Sequence, residues 1–231
     1  MTGEAKTLIG IGLVTLVMFI GGIVALTKDR NPVSQTADQE ILVRENSNVL
    51  AGENSKVTIV EFADYQCPFC AQTHPALQVM LTQYGDQITY VYRHYPLLQH
   101  QYAQLAAEAA EAAGAQGKYW EMHDLLYLRQ AEWAESGDAL TIFQQYAEEL
   151  ELNMEEFNLA IESNRFLPKI QQDLADGNTA GVSGTPTFFV DGNRFSGSVN
   201  GLMALVEARI NQGAEENAEL PEAPEATESE E

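Results

Sequence analysis

Cys67 and Cys70 are the only cysteines of the 231-residue chain, and they stand three positions apart in the segment Cys-Pro-Phe-Cys. With no other cysteine available, each can form an intrachain disulfide only with the other. Such a bridge closes a loop of four residues, and loop-entropy arithmetic gives it a stabilisation of only about 2 kcal/mol. The pair is therefore a weak structural link, and its spacing indicates a redox-active centre that alternates between dithiol and disulfide.

The segments on either side of the pair predict which sulfur reacts first. Residues 57–62 form a short apolar run rich in β-branched residues, which is typical of a buried strand, and residues 68–84 carry apolar side chains near helical spacing. Cys67 then stands at a helix N-terminus, where unpaired N–H groups and the helix dipole lower the pKa of a thiol. We predict that Cys67 is the nucleophilic thiolate and that Cys70, one helical turn on, resolves the mixed disulfide.

A metal site and an inert buried pair are the alternative interpretations of the two cysteines. Cys67, Cys70 and His74 stand at positions i, i+3 and i+7, so three zinc ligands could share one helix face. The sequence contains no second cysteine pair and no His-x3-His to complete an ordinary structural site, so we expect no metal. The other histidines and the large aromatic residues of the middle segment are interpreted as packing or surface residues: His94, His100, His123, Trp120, Tyr127 and Trp133.

Glu61 is the next candidate, because it interrupts the apolar strand that leads to the cysteines. A carboxylate buried there would cost free energy unless it served a purpose. Its hypothesised role is to accept a proton from Cys70 and to return it during exchange. The alternative is a glutamate that faces solvent at the end of a strand.

Pro186 is a candidate for the substrate-binding side of the site. It precedes a second apolar run at residues 187–190, and it has no N–H to donate, which suits a turn at the start of a strand. Its peptide bond could be cis or trans. In the cis form, the backbone of Thr185 could turn towards a peptide substrate and pair with it like a neighbouring strand, beside Cys67.

The middle of the chain predicts a single α/β domain at residues 49–212. A strand at residues 88–92 follows the first helix, and helical patterns then fill roughly residues 97–180. A β-hairpin and an amphipathic helix end the domain. The helical block is therefore expected to be an insertion within an α/β fold.

The two ends of the chain differ in composition from the middle. After a short N-terminal segment, residues 1–7, the uncharged residues 8–26 would span about 28 Å as a helix, which predicts a single transmembrane anchor. A cleaved signal peptide and a buried soluble helix are the alternatives for this segment. Residues 27–48 are expected to form a polar linker, and residues 213–231 a disordered acidic tail.

The charge of the chain argues against nucleic acid as a partner, but it does not determine on which side of the membrane the domain lies. The formal net charge is −22, so the surface repels phosphate backbones, and we expect no nucleic-acid partner. Lys6 and the amino terminus precede the apolar segment, Lys28 and Arg30 follow it, and counting these charges slightly favours a cytoplasmic domain. A lone redox-active pair fits an oxidising compartment, so we place the domain outside the cytoplasm, as part of a single-pass protein of the cell membrane.

Three segments of the sequence resemble the DsbA-like branch of the thioredoxin superfamily: KVTIVEFADYQCPFCAQTHP, YRHYPL and VSGTPTFFVDG. The resemblance implies a thioredoxin-like α/β fold with an inserted all-helical domain. It implies that Cys67 is the nucleophile and Cys70 the resolving thiol, and that Glu61 is a buried acid. Pro186 becomes a cis-proline that, with Thr185 before it, contacts substrate and keeps metal away from the cysteines.

The resemblance extends over roughly residues 41–212, with one departure between the cysteines. The family's best-known oxidase has Pro-His there, whereas this active-site loop has Pro68 and Phe69. Phe69 supplies no cation to the thiolate, so the pair is expected to be less oxidising than that relative. The long insert and the anchor still favour an oxidase over a reductase of the cytosolic type.

These observations together predict an extracytoplasmic thiol-disulfide oxidoreductase that forms or exchanges disulfides. Its substrates would be cysteine-containing exported proteins, a membrane or soluble redox partner would reset the pair, and no cofactor is required. A membrane-tethered disulfide reductase or isomerase is one alternative. A peptide-binding, chaperone-like module that uses the groove beside the proline is another, from a different functional class.

Overall fold

A five-stranded mixed sheet forms the centre of residues 37–218, the part of the chain that the computed structural model describes. The strands are β1 (Asn48–Ala51), β2 (Val57–Ala63), β3 (Ile88–His94), β4 (Thr187–Val190) and β5 (Asn193–Phe195). Their order across the sheet is β1-β3-β2-β4-β5. Strands β2 and β3 are parallel and the other neighbours are antiparallel, so β2, which leads into the cysteines, lies at the middle of the sheet.

Side chains alternate along β2 and divide the interior into two cores. Ile59 packs in the larger hydrophobic cluster and Val60 in the smaller one. Glu61 has the same parity as Ile59, so it faces the larger core, which also contains Cys67 and Cys70. The strand is apolar on both faces because both are covered, as the continuous β-branched run predicts.

The helix that carries the cysteines, α2, spans Pro68–Tyr84 and has the bounds that the sequence predicts. Cys67 is its N-cap residue, and Pro68 occupies the first helical position, where a missing N–H costs nothing. The helix continues through Pro75. Its buried face begins with Cys70 and His74, one turn apart, so the reactive pair and a histidine point into the same core.

Six helices between β3 and β4 form the predicted insert. They are α3 (Ala103–Gly114), α4 (Tyr119–Leu128), α5 (Gln130–Trp133), α6 (Ala139–Glu149), α7 (Met154–Glu162) and α8 (Leu167–Thr179). Alanine side chains line α3 and all of them are buried, which allows neighbouring helices to approach closely. The last helix, α9 (Val199–Ala218), packs on α2 and β2. From β2 onwards, the chain order is therefore strand, helix, strand, helical insert, hairpin and helix. Strand β1 precedes this series.

Both predicted ends of the domain need correction. The linker predicted at residues 27–48 contains helix α1 (Gln39–Leu42), and the Leu42 side chain is only 1 % exposed. This segment joins the fold because Arg44 binds both carboxylate oxygens of Asp176 at 2.7 and 2.9 Å. At the other end, α9 continues to Ala218, past the predicted start of the tail, because the alanine and glutamate residues at 214–216 and 218 favour helix without an apolar period.

The predicted transmembrane anchor at residues 8–26 lies outside the described residues, as does the acidic sequence after residue 218. Between residues 37 and 218, no helix has the length and apolar character that crossing a bilayer requires.

Candidate active site

The turn from β2 into α2 holds Cys67 in place from both sides. The Cys67 N–H donates to the carbonyl of Asp64 at 3.0 Å, and the Asp64 carboxylate accepts from the N–H of Gln66 at 2.7 Å. From the insert, the Gln130 side chain donates to the carbonyl oxygens of Tyr65 and Cys67 at 2.6 and 3.0 Å. The helical insert thereby fixes the loop that presents the nucleophile.

The environments of the two free thiols push their pKa values in opposite directions. The pKa of Cys67 is lowered to about 5, chiefly because the Cys70 thiol donates a hydrogen bond to the thiolate. Burial opposes this shift, but the backbone N–H groups of Cys70 and Phe69 add further donors. Burial raises the pKa of Cys70 well above its usual value, and the hydrogen bond to Cys67 and the negative charge of Glu61 raise it further. At neutral pH the pair therefore holds one thiolate, on Cys67, and one thiol, on Cys70.

We expect the ultraviolet absorbance of the thiolate in the reduced protein to titrate with a midpoint near pH 5. The pKa of Cys67 is lower in the folded protein than in the unfolded chain, so ionisation of this thiol stabilises the reduced fold. This contribution to the free energy of unfolding is complete above pH 9 and is lost as the pH falls towards 5. Cys70→Ala removes the main hydrogen bond and should raise the midpoint by roughly one unit or more. A midpoint near about 8.5 in the unaltered protein would contradict the assignment.

Glu61 lies inside the protein and not at its surface, with 2 % of the residue exposed, so the solvent-facing alternative is wrong. The Tyr90 hydroxyl donates a hydrogen bond to its carboxylate. Burial raises the pKa of Glu61 to about 7, the hydrogen bond from Tyr90 partly offsets this, and the charge of Cys67 raises it further. A carboxyl group that titrates near neutral pH can both accept and release a proton, which suits the hypothesised exchange with Cys70.

An open groove of about 670 Å³ runs beside the cysteine loop. Phe69 on one wall is 65 % exposed, and the opposite wall carries the Thr185–Pro186 peptide bond, which is cis as the resemblance implies. The Cys67 thiol contacts the carbonyl oxygen of Thr185 at 3.4 Å. The structure therefore brings the predicted loop and proline residues together at one surface, and their role in binding substrate stays a prediction.

A buried cluster of aromatic residues behind the cysteines was not predicted as part of the site. Tyr65 stacks on Tyr92 with ring centroids 5.1 Å apart, and Tyr127 from the insert lies 4.9 Å from Tyr65. Tyr90, which donates a hydrogen bond to Glu61, is likewise absent from the predicted site residues. The parallel register of β2 with β3 places Tyr90 beside Ile59 and Tyr92 beside Glu61, so a correct strand alignment is the signal that could have found both tyrosines.

Comparison with known proteins agrees with this architecture. The family described as Thioredoxin matches residues 44–208. A thioredoxin-like oxidoreductase from Silicibacter pomeroyi is 29 % identical, with a TM-score of 0.63 over 78 % of this chain and 99 % of that one. Alpha-DsbA1 from Wolbachia pipientis has a TM-score of 0.68 at 19 % identity, covering 80 % of this chain and all of the other. BdbD from Bacillus subtilis has a TM-score of 0.62 at 20 % identity, covering 71 % and 93 %.

Curated relatives carry a different name. A protein of Salinispora arenicola called Na(+)/H(+) antiporter NhaA 1 is 45 % identical over 157 residues, which is 68 % of this chain but 23 % of that protein. A Na(+)/H(+) antiporter NhaA of Herminiimonas arsenicoxydans is 34 % identical over 71 % of this chain and 26 % of its own length. The chain thus spans about a quarter of the relatives it matches, and a name given to the whole of each relative does not transfer to it.

The structural neighbours and the family match point to one assignment. The family match at residues 44–208 covers the sheet, the cysteine helix and the helical insert, and it includes both cysteines and the cis-proline; the structural neighbours cover 78 to 80 % of the chain. The chain therefore belongs to the thioredoxin family, and its fold is the one that the DsbA-like structures have.

Proposed function

We propose that this protein is an extracytoplasmic thiol-disulfide oxidoreductase that forms or exchanges disulfides in exported proteins through Cys67 and Cys70. The observation that carries the proposal is the division of the two thiols into a stabilised thiolate and a buried thiol beside an open groove. A thiol of low pKa is both the attacking species and the better leaving group in disulfide exchange.

In the oxidising direction, the reaction begins from the Cys67–Cys70 disulfide. A substrate thiolate attacks the Cys67 sulfur, the bond between the two cysteines breaks, and Cys70 leaves and takes up a proton, for which Glu61 is the nearby donor. A second substrate thiolate then attacks the substrate sulfur of the mixed disulfide, and Cys67 leaves as its stabilised thiolate. The substrate loses two electrons to the pair, which a redox partner must oxidise again.

The proposal also includes the direction of electron flow, from the substrate to the cysteine pair. A stabilised Cys67 thiolate favours the reduced form and so makes the disulfide more oxidising, even though Phe69 supplies no cation. The hydrogen bond from Cys70 and the donors at the helix N-terminus stabilise the thiolate in place of a cation. This supports an oxidase over a reductase or isomerase.

The decisive measurement is the reduction potential of the pair, equilibrated against glutathione. Known proteins span roughly −120 to −270 mV, or about 7 kcal/mol in disulfide stability. We expect a value towards the oxidising end of this range, and a value near its reducing end would support the reductase. Because Cys67 stays ionised above pH 5 while Cys70 takes up a proton, the potential should fall by about 30 mV per pH unit there.

The extracytoplasmic location is proposed from the uncharged segment at residues 8–26 and from the oxidising compartment that a lone cysteine pair favours. Added protease should digest the domain in intact spheroplasts, and should digest a cytoplasmic marker only after lysis. Full protection of the domain under the first condition would place it in the cytoplasm.

A peptide-binding, chaperone-like module is the second candidate function, favoured by the size of the groove and by the exposed Phe69 ring. The double variant Cys67→Ser, Cys70→Ser separates the two functions. A binding module keeps its full activity in suppressing aggregation of an unfolded protein without cysteines, whereas an oxidoreductase loses its exchange activity.

A further inference from the structure

Three metal-ligating side chains meet behind the cysteine helix, and the proposed exchange reaction uses none of them. His74 lies on α2, one turn after Cys70, and His123 and Asp124 are consecutive residues of α4. One ligand atom from each of the three lies within 4.8 Å of the others. The sequence placed His74 on the face of the cysteines and His123 in the insert, so only the packing of α4 against α2 brings the group together.

The His74 side chain is buried without a hydrogen bond for its Nε2 atom. The residue is 3 % exposed, and this nitrogen lies 3.3 Å from Oδ1 of Asp124 without forming a hydrogen bond to it. A buried nitrogen that forms no hydrogen bond and has only this longer contact with a carboxylate costs free energy, and its presence calls for an explanation. The distance is close to about 3.4 Å, the edge of a tetrahedron around zinc with bonds of about 2.0 to 2.1 Å, so both atoms could bind the same ion.

The other two side chains are held by neighbouring groups that leave a ligand atom available. Nδ1 of His123 lies 3.0 Å from the hydroxyl of Tyr65, so Nε2 is the nitrogen left for a metal. Gln78 donates a hydrogen bond of 2.6 Å to Oδ1 of Asp124. Metal-binding histidines commonly donate their second ring N–H to an oxygen, and metal-binding carboxylates are themselves hydrogen-bonded. Tyr65 and Gln78 take these supporting positions here.

A cavity of about 230 Å³ gives an ion access to the group. His74, His123 and Asp124 lie on its wall together with Gln78 and Trp120. The Asp124 side chain is 38 % exposed, so it lies at the solvent side and can rotate to bring its oxygen closer to the two rings. The space beside the three ligands is large enough for a water molecule, which is the usual fourth ligand in an open zinc site.

We propose that His74, His123 and Asp124 bind a divalent transition-metal ion of the zinc class, with water completing the coordination. Two imidazoles and one carboxylate suit Zn²⁺ and chemically similar ions, whereas Ca²⁺ and Mg²⁺ prefer sites built from oxygen. The site is separate from the redox pair, because neither cysteine belongs to this group of ligands. It does not rest on the proposed disulfide exchange.

The test is zinc binding to the full-length protein in detergent, measured by competition with a chromophoric chelator. The parent for all measurements carries Cys67→Ser and Cys70→Ser, so that no thiol binds the metal. We expect one Zn²⁺ per chain, a rise of the thermal midpoint with zinc concentration, and the visible absorption of a four-coordinate N/O site when Co²⁺ replaces Zn²⁺. Absence of stoichiometric zinc in this parent would overturn the proposal.

Single substitutions then locate the site. Asp124→Asn, at a partly exposed position where the fold should tolerate it, is expected to weaken zinc binding by roughly tenfold or more, as is His74→Gln. His100→Gln is the matched control, because His100 also contacts a carboxylate, that of Asp64 at 2.7 Å, in another part of the fold. Unchanged affinity in Asp124→Asn, or an equal loss in the His100 control, would overturn the assignment.

Discussion

Replacing Cys67 with serine is expected to reduce disulfide exchange by at least about a thousandfold, to the background rate. A serine hydroxyl does not ionise at neutral pH and forms no disulfide, whereas the Cys67 thiol has a pKa of about 5 and is ionised throughout the physiological range. The measurement is the rate of exchange between the protein and glutathione disulfide or a small peptide disulfide, followed by mass spectrometry of quenched samples.

Cys70→Ser is the matched control, and it should fail in a different way. The Cys67 thiolate is still present, so the first attack proceeds, but the mixed disulfide is not resolved and accumulates as an adduct on Cys67. This asymmetry follows from the opposite pKa shifts of the two thiols. Adduct formation on Cys70 in the Cys67→Ser variant at a comparable rate would mean that the roles of the cysteines are reversed.

The reactive pair could be predicted because its determinants are local in sequence. An apolar β-branched run, two cysteines and a proline in the first helical turn are enough to place Cys67 at the start of a helix, and α2 has the predicted bounds. The observed strand β2, Val57–Ala63, exceeds the predicted one by a single residue. Patterns of this kind depend on residues that are close together in the sequence. The helix terminus that acts on the Cys67 thiol is formed by such residues, so the pattern is enough to predict it.

Partners from distant segments could not be predicted, because they depend on register and packing. The hydrogen bond from Tyr90 to Glu61 requires the parallel alignment of β2 with β3, which alternation of side chains does not specify. The approach of His123 to His74 depends on how α4 packs against α2. A single sequence shows these residues as members of separate elements, and only the fold brings them together.

The N-terminal boundary of the domain differs from the predicted one for a related reason. The polar residues 31–40 suggest a solvated linker, but a buried charge network holds the apolar residues that follow, Ile41 and Leu42, against the sheet. Arg93, 0 % exposed, donates to the carbonyl oxygens of Ile41 and Leu42 at 2.8 and 2.7 Å and to Asp176 at 2.6 Å. The composition of residues 31–40 does not show where a solvated linker ends and where backbone carbonyls begin to satisfy a buried guanidinium.

Glu61→Gln is expected to slow resolution of the mixed disulfide by roughly a hundredfold, because the variant lacks the group that takes the proton of Cys70. In the unaltered protein the rate should rise with pH to a plateau above about 7, as Glu61 ionises, and this rise should be absent in the variant. The measurement is the decay of a preformed mixed disulfide on Cys67 across a pH series. Tyr90→Phe is the matched control: it removes a hydrogen bond that lowers the pKa of Glu61, so the rise should move to higher pH.

The same substitution, Glu61→Gln, should raise the free energy of unfolding at high pH, which distinguishes a buried acid from a residue needed for packing. The folded pKa of about 7 lies above the ordinary value of 4.5, so the protonated carboxyl stabilises the fold fully below pH 4.5, and this contribution is lost as the pH rises through 7. A glutamine side chain does not titrate, so the variant should gain about 3 kcal/mol over the unaltered protein between these limits. Urea unfolding of both, each in the Cys67→Ser, Cys70→Ser background, measures this difference without a thiol that titrates; burial, the largest cause of the raised pKa, remains, and the smaller effect of the Cys67 charge is removed. A constant difference across the pH range would show that Glu61 ionises normally and would remove the basis for its role as a proton acceptor.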